Sequence, residues 1–254
     1  LYENGWTLVK NVFNQDEVNK LRKDANSKSS IKTIDADILT NPKIGNIVYD
    51  SRIIDIVKNL LGGDLIYFGD GRLLIESING RLGGSWHRDN PDRKDFNGPD
   101  WKSDYDVVRV GIYLQDHINH SEGLGFYSGS NKREVEEIPG SFVIVDNAPI
   151  EPGDILIWQL TCIHVGYPKR FRMIKGNVSI AHGSIADYGR RYYINNFIYK
   201  RLPGFLTNRP GKERVIIQMI YGKVGSNHTD RYIEYCKARS YAVNRWNNTE
   251  YSEE

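Results

Sequence analysis

Apolar positions in the first quarter of the chain recur at helical spacing twice. A short alternating segment, Trp6-Thr7-Leu8-Val9, reads as a strand and is followed by a helix over Gln15–Ala25 with Val18 and Leu21 inward. Asn14 stands where an N-cap belongs, and Glu17 three residues on completes a capping box. Ile53, Ile56, Val57, Leu60 and Leu61 form one apolar face of a second helix, with Ser51 as its cap and Gly62-Gly63 as its exit. From Asp64 to Trp158 the texture changes to short apolar runs: Leu65–Phe68, Leu73–Ile78, Ser85–His87, Val107–Leu114, Gly123–Tyr127, Ser141–Val145 and Ile155–Trp158. Turn sequences such as Asn79-Gly80, Gly83-Gly84, Pro139-Gly140 and Pro152-Gly153-Asp154 separate most of them. Many short strands with glycine-rich turns predict a mainly β domain, a sandwich or barrel, with flanking helices. A late strand at Val215–Tyr221 and a closing helix from Thr229, its cap, to about Trp246 complete the pattern. The long polar stretch between Pro168 and Pro210 is rich in Tyr, Asn and Arg, and loops of that length in a compact domain usually carry function or structure of their own.

Composition narrows the function classes. The chain has 254 residues, 34 basic and 32 acidic, for a formal charge of +2, which argues against a nucleic-acid partner. No apolar run approaches the length of a membrane span. The two cysteines, Cys162 and Cys236, support neither a disulfide framework nor a CxxC motif; they read as small buried hydrophobes and fit a reducing, cytoplasmic setting. The expectation is one domain over 1–254, long enough to bury a substantial core, with a small-molecule partner and an open oligomeric state.

The chemistry concentrates at Trp86-His87-Arg88-Asp89. Residues two apart on a strand point to the same side, so His87 and Asp89 can grip one ion with a nitrogen and an oxygen. HxD alone is a weak signal and needs a distant second histidine. His164 supplies it: it follows the turn Gly153-Asp154 and the apolar run Ile155-Leu156-Ile157-Trp158, and lies 75 residues after Asp89. Two His and one carboxylate on one face of an octahedron leave three positions open, the arrangement of non-haem Fe(II) oxygenases. His182 is the rival second histidine; His117 and His120 read as solvated turn residues and His228 as part of the final helix's cap region.

Several further segments, in order, resemble the phytanoyl-CoA dioxygenase family of Fe(II)/2-oxoglutarate oxygenases. These are Asn4-Gly5-Trp6-Thr7-Leu8-Val9-Lys10-Asn11, Trp86-His87-Arg88-Asp89, Val110-Gly111-Ile112-Tyr113-Leu114-Gln115-Asp116, Glu122-Gly123-Leu124-Gly125, Ser128-Gly129-Ser130-Asn131-Lys132, and Gly153-Asp154 followed by His164. The resemblance implies a double-stranded β-helix (jelly roll) with helices on one side. It implies His87, Asp89 and His164 as ligands of Fe(II), with 2-oxoglutarate and O₂ as co-substrates and succinate and CO₂ as products. It favours hydroxylation over halogenation because the carboxylate of Asp89 is present. Desaturation, cyclisation or epimerisation at the same centre is the alternative, and a non-catalytic metal- or sugar-binding jelly roll the alternative of another class.

The distal carboxylate of 2-oxoglutarate calls for the fixed donor fork of an arginine, which the resemblance places at the start of the last core strand. Arg214, opening the Val215–Tyr221 run, is preferred; Arg190 (or its neighbour Arg191) and Arg172 are the alternatives, and Tyr113 is a second candidate for co-substrate binding. By this reading 168–210 is an insertion over the barrel mouth, a lid in which Tyr188, Tyr192 and Tyr193, with Arg190, could line a substrate pocket; a packed structural excursion is the equal alternative. Two departures from the family pattern stand out: Ser128-Gly129-Ser130-Asn131 replaces P-G-S-H, and Gly166 stands where a serine follows the distal His.

Overall fold

The structure is a computed structural model describing residues 1–25, 36–77, 87–115, 124–132, 143–147, 150–166, 178–181 and 213–249. For 76–77, 143–147, 178–181 and 213–214 the backbone path alone is described.

Strands β1 (Trp6–Val9), β2 (Leu65–Tyr67), β3 (Arg72–Ser77), β4 (Val107–Tyr113), β7 (Ile155–Gln159) and β10 (Glu213–Lys223) form an antiparallel sheet in the order β1-β7-β4-β10. The free side of β10 pairs β3 along its first half and β2 along its last. A second antiparallel sheet has the order β8 (His164–Gly166), β5 (Leu124–Phe126), β6 (Val143–Asn147), β9 (Val178–Ala181). Strand parity divides the larger sheet into two faces. Val108, Val110, Ile112, Ile155, Ile157, Val215, Ile217 and Met219 pack with the apolar sides of α1 (Gln15–Ala25) and α2 (Ser51–Leu61). The alternate residues Tyr113, Leu156, Trp158 and Ile216 meet Leu124 and Phe126 of the second sheet. The larger sheet therefore lies between a helical layer and the second sheet, each contact burying apolar side chains from water.

The Asn14–Glu17 capping box forms reciprocally: the Glu17 N–H donates to Asn14 Oδ1 at 3.0 Å and the Asn14 N–H to Glu17 Oε2 at 2.8 Å. The second cap is Asp50 rather than Ser51, because Asp50 Oδ1 accepts the Arg52 N–H and Ser51 is already helical. The expected closing helix is two helices, α3 (Asn227–Lys237) and α4 (Ser240–Asn247), broken at Ala238-Arg239. Its cap is Ser226, which accepts from the His228 N–H; Thr229 lies inside the first turn and is buried. His228 is likewise buried, with its ring against Tyr105. Both cysteines are free and buried, as expected.

Within 168–210, one strand, β9, is described. Its backbone, over Val178–Ala181, pairs with β6 and extends the second sheet; the rest of that stretch lies outside the described residues. No helix among the described residues is long and apolar enough to cross a membrane.

Candidate metal centre

His87 and His164 face each other across a two-bond antiparallel bridge. The His87 N–H donates to the His164 carbonyl and the His164 N–H to the His87 carbonyl, each at 3.1 Å. Two residues on, the Asp89 N–H donates to the Leu160 carbonyl at 2.8 Å. Alternation then puts His87 and Asp89 on one side and Arg88 on the other. Arg88 is buried; its Nε donates to the Thr161 carbonyl at 2.8 Å and its Nη2 to the Ser130 carbonyl at 3.0 Å, while the rings of Phe96 and Trp101 lie against its guanidinium. The central residue of the HxD motif thus clamps the turn that delivers His164. Ser130 supports the same turn from its other side: its Oγ accepts the Ile163 N–H at 2.8 Å. Ser130 therefore buttresses the turn that carries His164.

The result is a cluster in which one ligating atom from each of His87, Asp89 and His164 lies within 4.8 Å of the others. The imidazole centroids are 4.3 Å apart; His87 Nε2 is 3.7 Å from Asp89 Oδ1 and His164 Nε2 is 3.5 Å from Asp89 Oδ2. These separations are too long for hydrogen bonds and suit three donors around a common ion. His164 Nδ1 sits 3.0 Å from the Cys162 carbonyl; a proton there donates to it and leaves the Nε2 lone pair on the side of Asp89. Phe126, stacked on Trp6, and Trp158 enclose the His164 ring. Burial, then the neighbouring His87, hold the His164 imidazole down at about 3, the neutral form that a metal requires.

Burial alone would raise the Asp89 carboxyl, but Arg109, then His164, His87 and Arg72, hold it well below the usual carboxylate range. Arg109 Nη1 lies 3.3 Å from Asp89 Oδ2, a charge contact without hydrogen-bond geometry, and that oxygen is buried with no hydrogen-bond partner. An orphaned carboxylate oxygen beside two imidazoles fits a divalent cation with nitrogen and oxygen ligands.

Tyr113 is fully buried on β4, on the face turned toward the second sheet. Gly111, one alternation away, leaves space that the Trp158 and Tyr113 rings occupy, since a Cβ there would meet them at 3.1 and 3.3 Å. Arg214 is in β10 opposite Glu76, in the expected place at the start of the last strand. The side chain of Arg214, and Arg172, His182, Tyr188, Arg190, Tyr192 and Tyr193 altogether, lie outside the described residues.

Arg109 is the site residue that sequence reasoning missed. The available signal was a single charge in the run Val107-Val108-Arg109-Val110, which no solvent-facing alternation explains.

Solved structures share this fold. The structure of AviO1 from Streptomyces viridochromogenes Tue57 superimposes with a TM-score of 0.57 at 13% identity, covering 89% of this chain and 92% of that one. EctD from S. alaskensis, with 2-oxoglutarate and 5-hydroxyectoine, matches with 0.56 at 14% identity over 87% of this chain and 73% of that one. The non-haem alpha-ketoglutarate-dependent carbocyclase SnoK from nogalamycin biosynthesis matches with 0.56 at 14% identity over 90% and 87%. No protein-family model and no curated protein sequence matches the chain.

Proposed function

We propose that this chain is a non-haem Fe(II)- and 2-oxoglutarate-dependent oxygenase of the phytanoyl-CoA dioxygenase type, oxidising a small or medium-sized organic molecule. The observation that carries the reading is the convergence of His87, Asp89 and His164, from two distant segments, on one possible ion. The two sheets correspond in this reading to the halves of a double-stranded β-helix, and the shared fold of the 2-oxoglutarate-dependent structures supports it.

When bound, Fe(II) and 2-oxoglutarate would couple O₂ reduction and decarboxylation to succinate and CO₂ with a two-electron oxidation of the substrate. The chain's own contribution is positional. His87 and Asp89 present their donors from one strand edge, and Arg88 fixes the opposing turn. His164 is held neutral by burial and in one tautomer by the Cys162 carbonyl. Trp6, Phe126 and Trp158 keep water from its ring. Arg214, near the start of β10, is assigned the distal carboxylate of the co-substrate, and Tyr113, on the face of β4 turned toward the second sheet, a supporting contact.

Hydroxylation is the primary reading. Cyclisation or epimerisation is the second, favoured by the carbocyclase SnoK and by the epimerase SnoN, which matches with a TM-score of 0.54. The test is succinate formation from 2-oxoglutarate under air, with and without Fe(II). Iron-dependent succinate supports an oxygenase of either kind, and its absence under every condition leaves only a metal-binding β protein. Arg214→Ala is expected to raise the apparent Michaelis constant for 2-oxoglutarate at least about tenfold, as loss of a charge-assisted bidentate pair should; an unchanged constant moves the role to Arg190 or Arg172.

A further inference from the structure

Arg109 poses an electrostatic problem that the metal reading sharpens. Its side chain is 14% exposed, its guanidinium offers five N–H donors, and Asp89 is its ion-pair partner among the described residues. Arg109 Nε is buried with no hydrogen-bond partner among the described residues. If Asp89 serves a dication, the guanidinium lies against the same carboxylate as that second positive charge. A cation there weakens metal binding by repulsion; it helps only if an anion comes to share the space.

A second idle donor lies one strand away. Trp158 is directly opposite Arg109 in the β4–β7 register, so the two side chains are neighbours on the same face of the sheet. The indole is fully buried, and its Nε1–H has no hydrogen-bond partner. Buried N–H groups are almost always bonded, because one left alone has lost its water without gaining an acceptor. Two such donors on paired residues of one face, one against Asp89 and the other beside His164, call for an acceptor of two or more lone pairs. Val107, Leu160 and Ile220 close the same end of the sheet beneath Tyr232 of α3, so bulk water is a poor candidate for that acceptor.

We propose that Arg109 and Trp158 form an oxyanion-binding position beside the metal centre that takes a carboxylate of the substrate, making the preferred substrate an organic acid. The inference rests on the metal reading of His87, Asp89 and His164. The keto acid is the other source of a carboxylate, and the experiment separates the two.

The test uses the Co(II)-loaded protein and trifluoroacetate as probe, with fluorine NMR relaxation reporting approach to the paramagnetic ion. Saturating 2-oxoglutarate is present or absent. The expected result is relaxation enhancement that persists with 2-oxoglutarate bound. Arg109→Gln weakens probe affinity by about tenfold or more, Trp158→Phe by severalfold, and Arg109→Lys keeps part of it. Co(II) affinity in Arg109→Gln stays the same or tightens. Enhancement abolished by 2-oxoglutarate assigns the position to the keto acid and overturns the proposal. Probe affinity unchanged in Arg109→Gln and Trp158→Phe overturns it as well, while leaving the oxygenase reading intact. If Arg109→Gln fails to hold Co(II), Trp158→Phe, which preserves ring bulk, carries the test. A wild-type protein that binds no Co(II) sinks the metal reading and this inference together.

Discussion

At the scale of single residues, Asp89 lies against the Arg109 guanidinium and two imidazoles, and its Oδ2 accepts no hydrogen bond among the described residues. Removing the carboxylate should disarm the site while sparing the fold, because the backbone bond of residue 89 to Leu160 does not depend on the side chain. Asp89→Ala is expected to weaken Co(II) binding by more than the roughly 10–100-fold typical of outer-sphere changes, measured by calorimetry, with succinate formation at background. His164 gives a second prediction, for the metal-free protein. Its folded value of about 3 lies below the ordinary imidazole value of about 6.5. The unfolded chain thus binds a proton that the folded chain refuses, and the stability contributed is complete above pH ~6.5 and lost as the pH falls toward 3. Melting temperature against pH should show this decline, and His164→Gln should flatten it; parallel curves for the two proteins would refute the assignment. The three clustered residues were legible because residue type and spacing nominated them and the ordered resemblance singled them out from the rival histidines. Arg109 was not, since the sequence does not show which face of a strand will meet the metal.

At the scale of elements, the turn before β7 is fixed by Gly153. Its φ is +100°, and its carbonyl accepts the Phe13 N–H at 2.9 Å, joining that turn to the start of α1. A Cβ at this position would meet the Phe13 carbonyl oxygen at 2.2 Å. Gly153→Ala should therefore cost more than about 2 kcal/mol in urea denaturation, combining left-handed strain with a backbone clash. A change under about 0.5 kcal/mol would show that the turn reshapes freely. Strands β1, β4, β7 and β10 and helices α1 and α2 follow their apolar periodicity closely. The break between α3 and α4 does not appear in the periodicity, because the apolar positions continue across it: Tyr232 and Cys236 on one side and Ala242 on the other join the same cluster. Strand β9 was hidden in a polar stretch, where a four-residue edge strand leaves little pattern to read.

At the scale of the whole molecule, Asp37 ties three distant segments together. Its carboxylate accepts from Tyr67 Oη at 2.6 Å, the Gly71 N–H at 2.6 Å and the Leu39 N–H at 2.8 Å, and its own N–H donates to Thr249 Oγ1 at 3.0 Å. Arg245 of α4 reaches the same corner through Asp70 and the Gly71 carbonyl. Asp37→Ala leaves three donors without an acceptor and should cost roughly 2–4 kcal/mol. Faster hydrogen exchange at the Gly71 amide would mark the opening, and wild-type protection there would contradict it. No sequence pattern announces such a junction, since its partners lie up to 212 residues apart. The pairing of His87 with His164 has a different consequence, for how such a protein can diverge. The chain between them returns to the same point after contributing β4 and β7 to one sheet and β5 and β6 to the other. Doubling a flexible connection between two such strands adds only about 0.6 kcal/mol of closure entropy. Lineages are then free to lengthen such connections, and with them whatever they recognise, while the bridge keeps the two histidines in register.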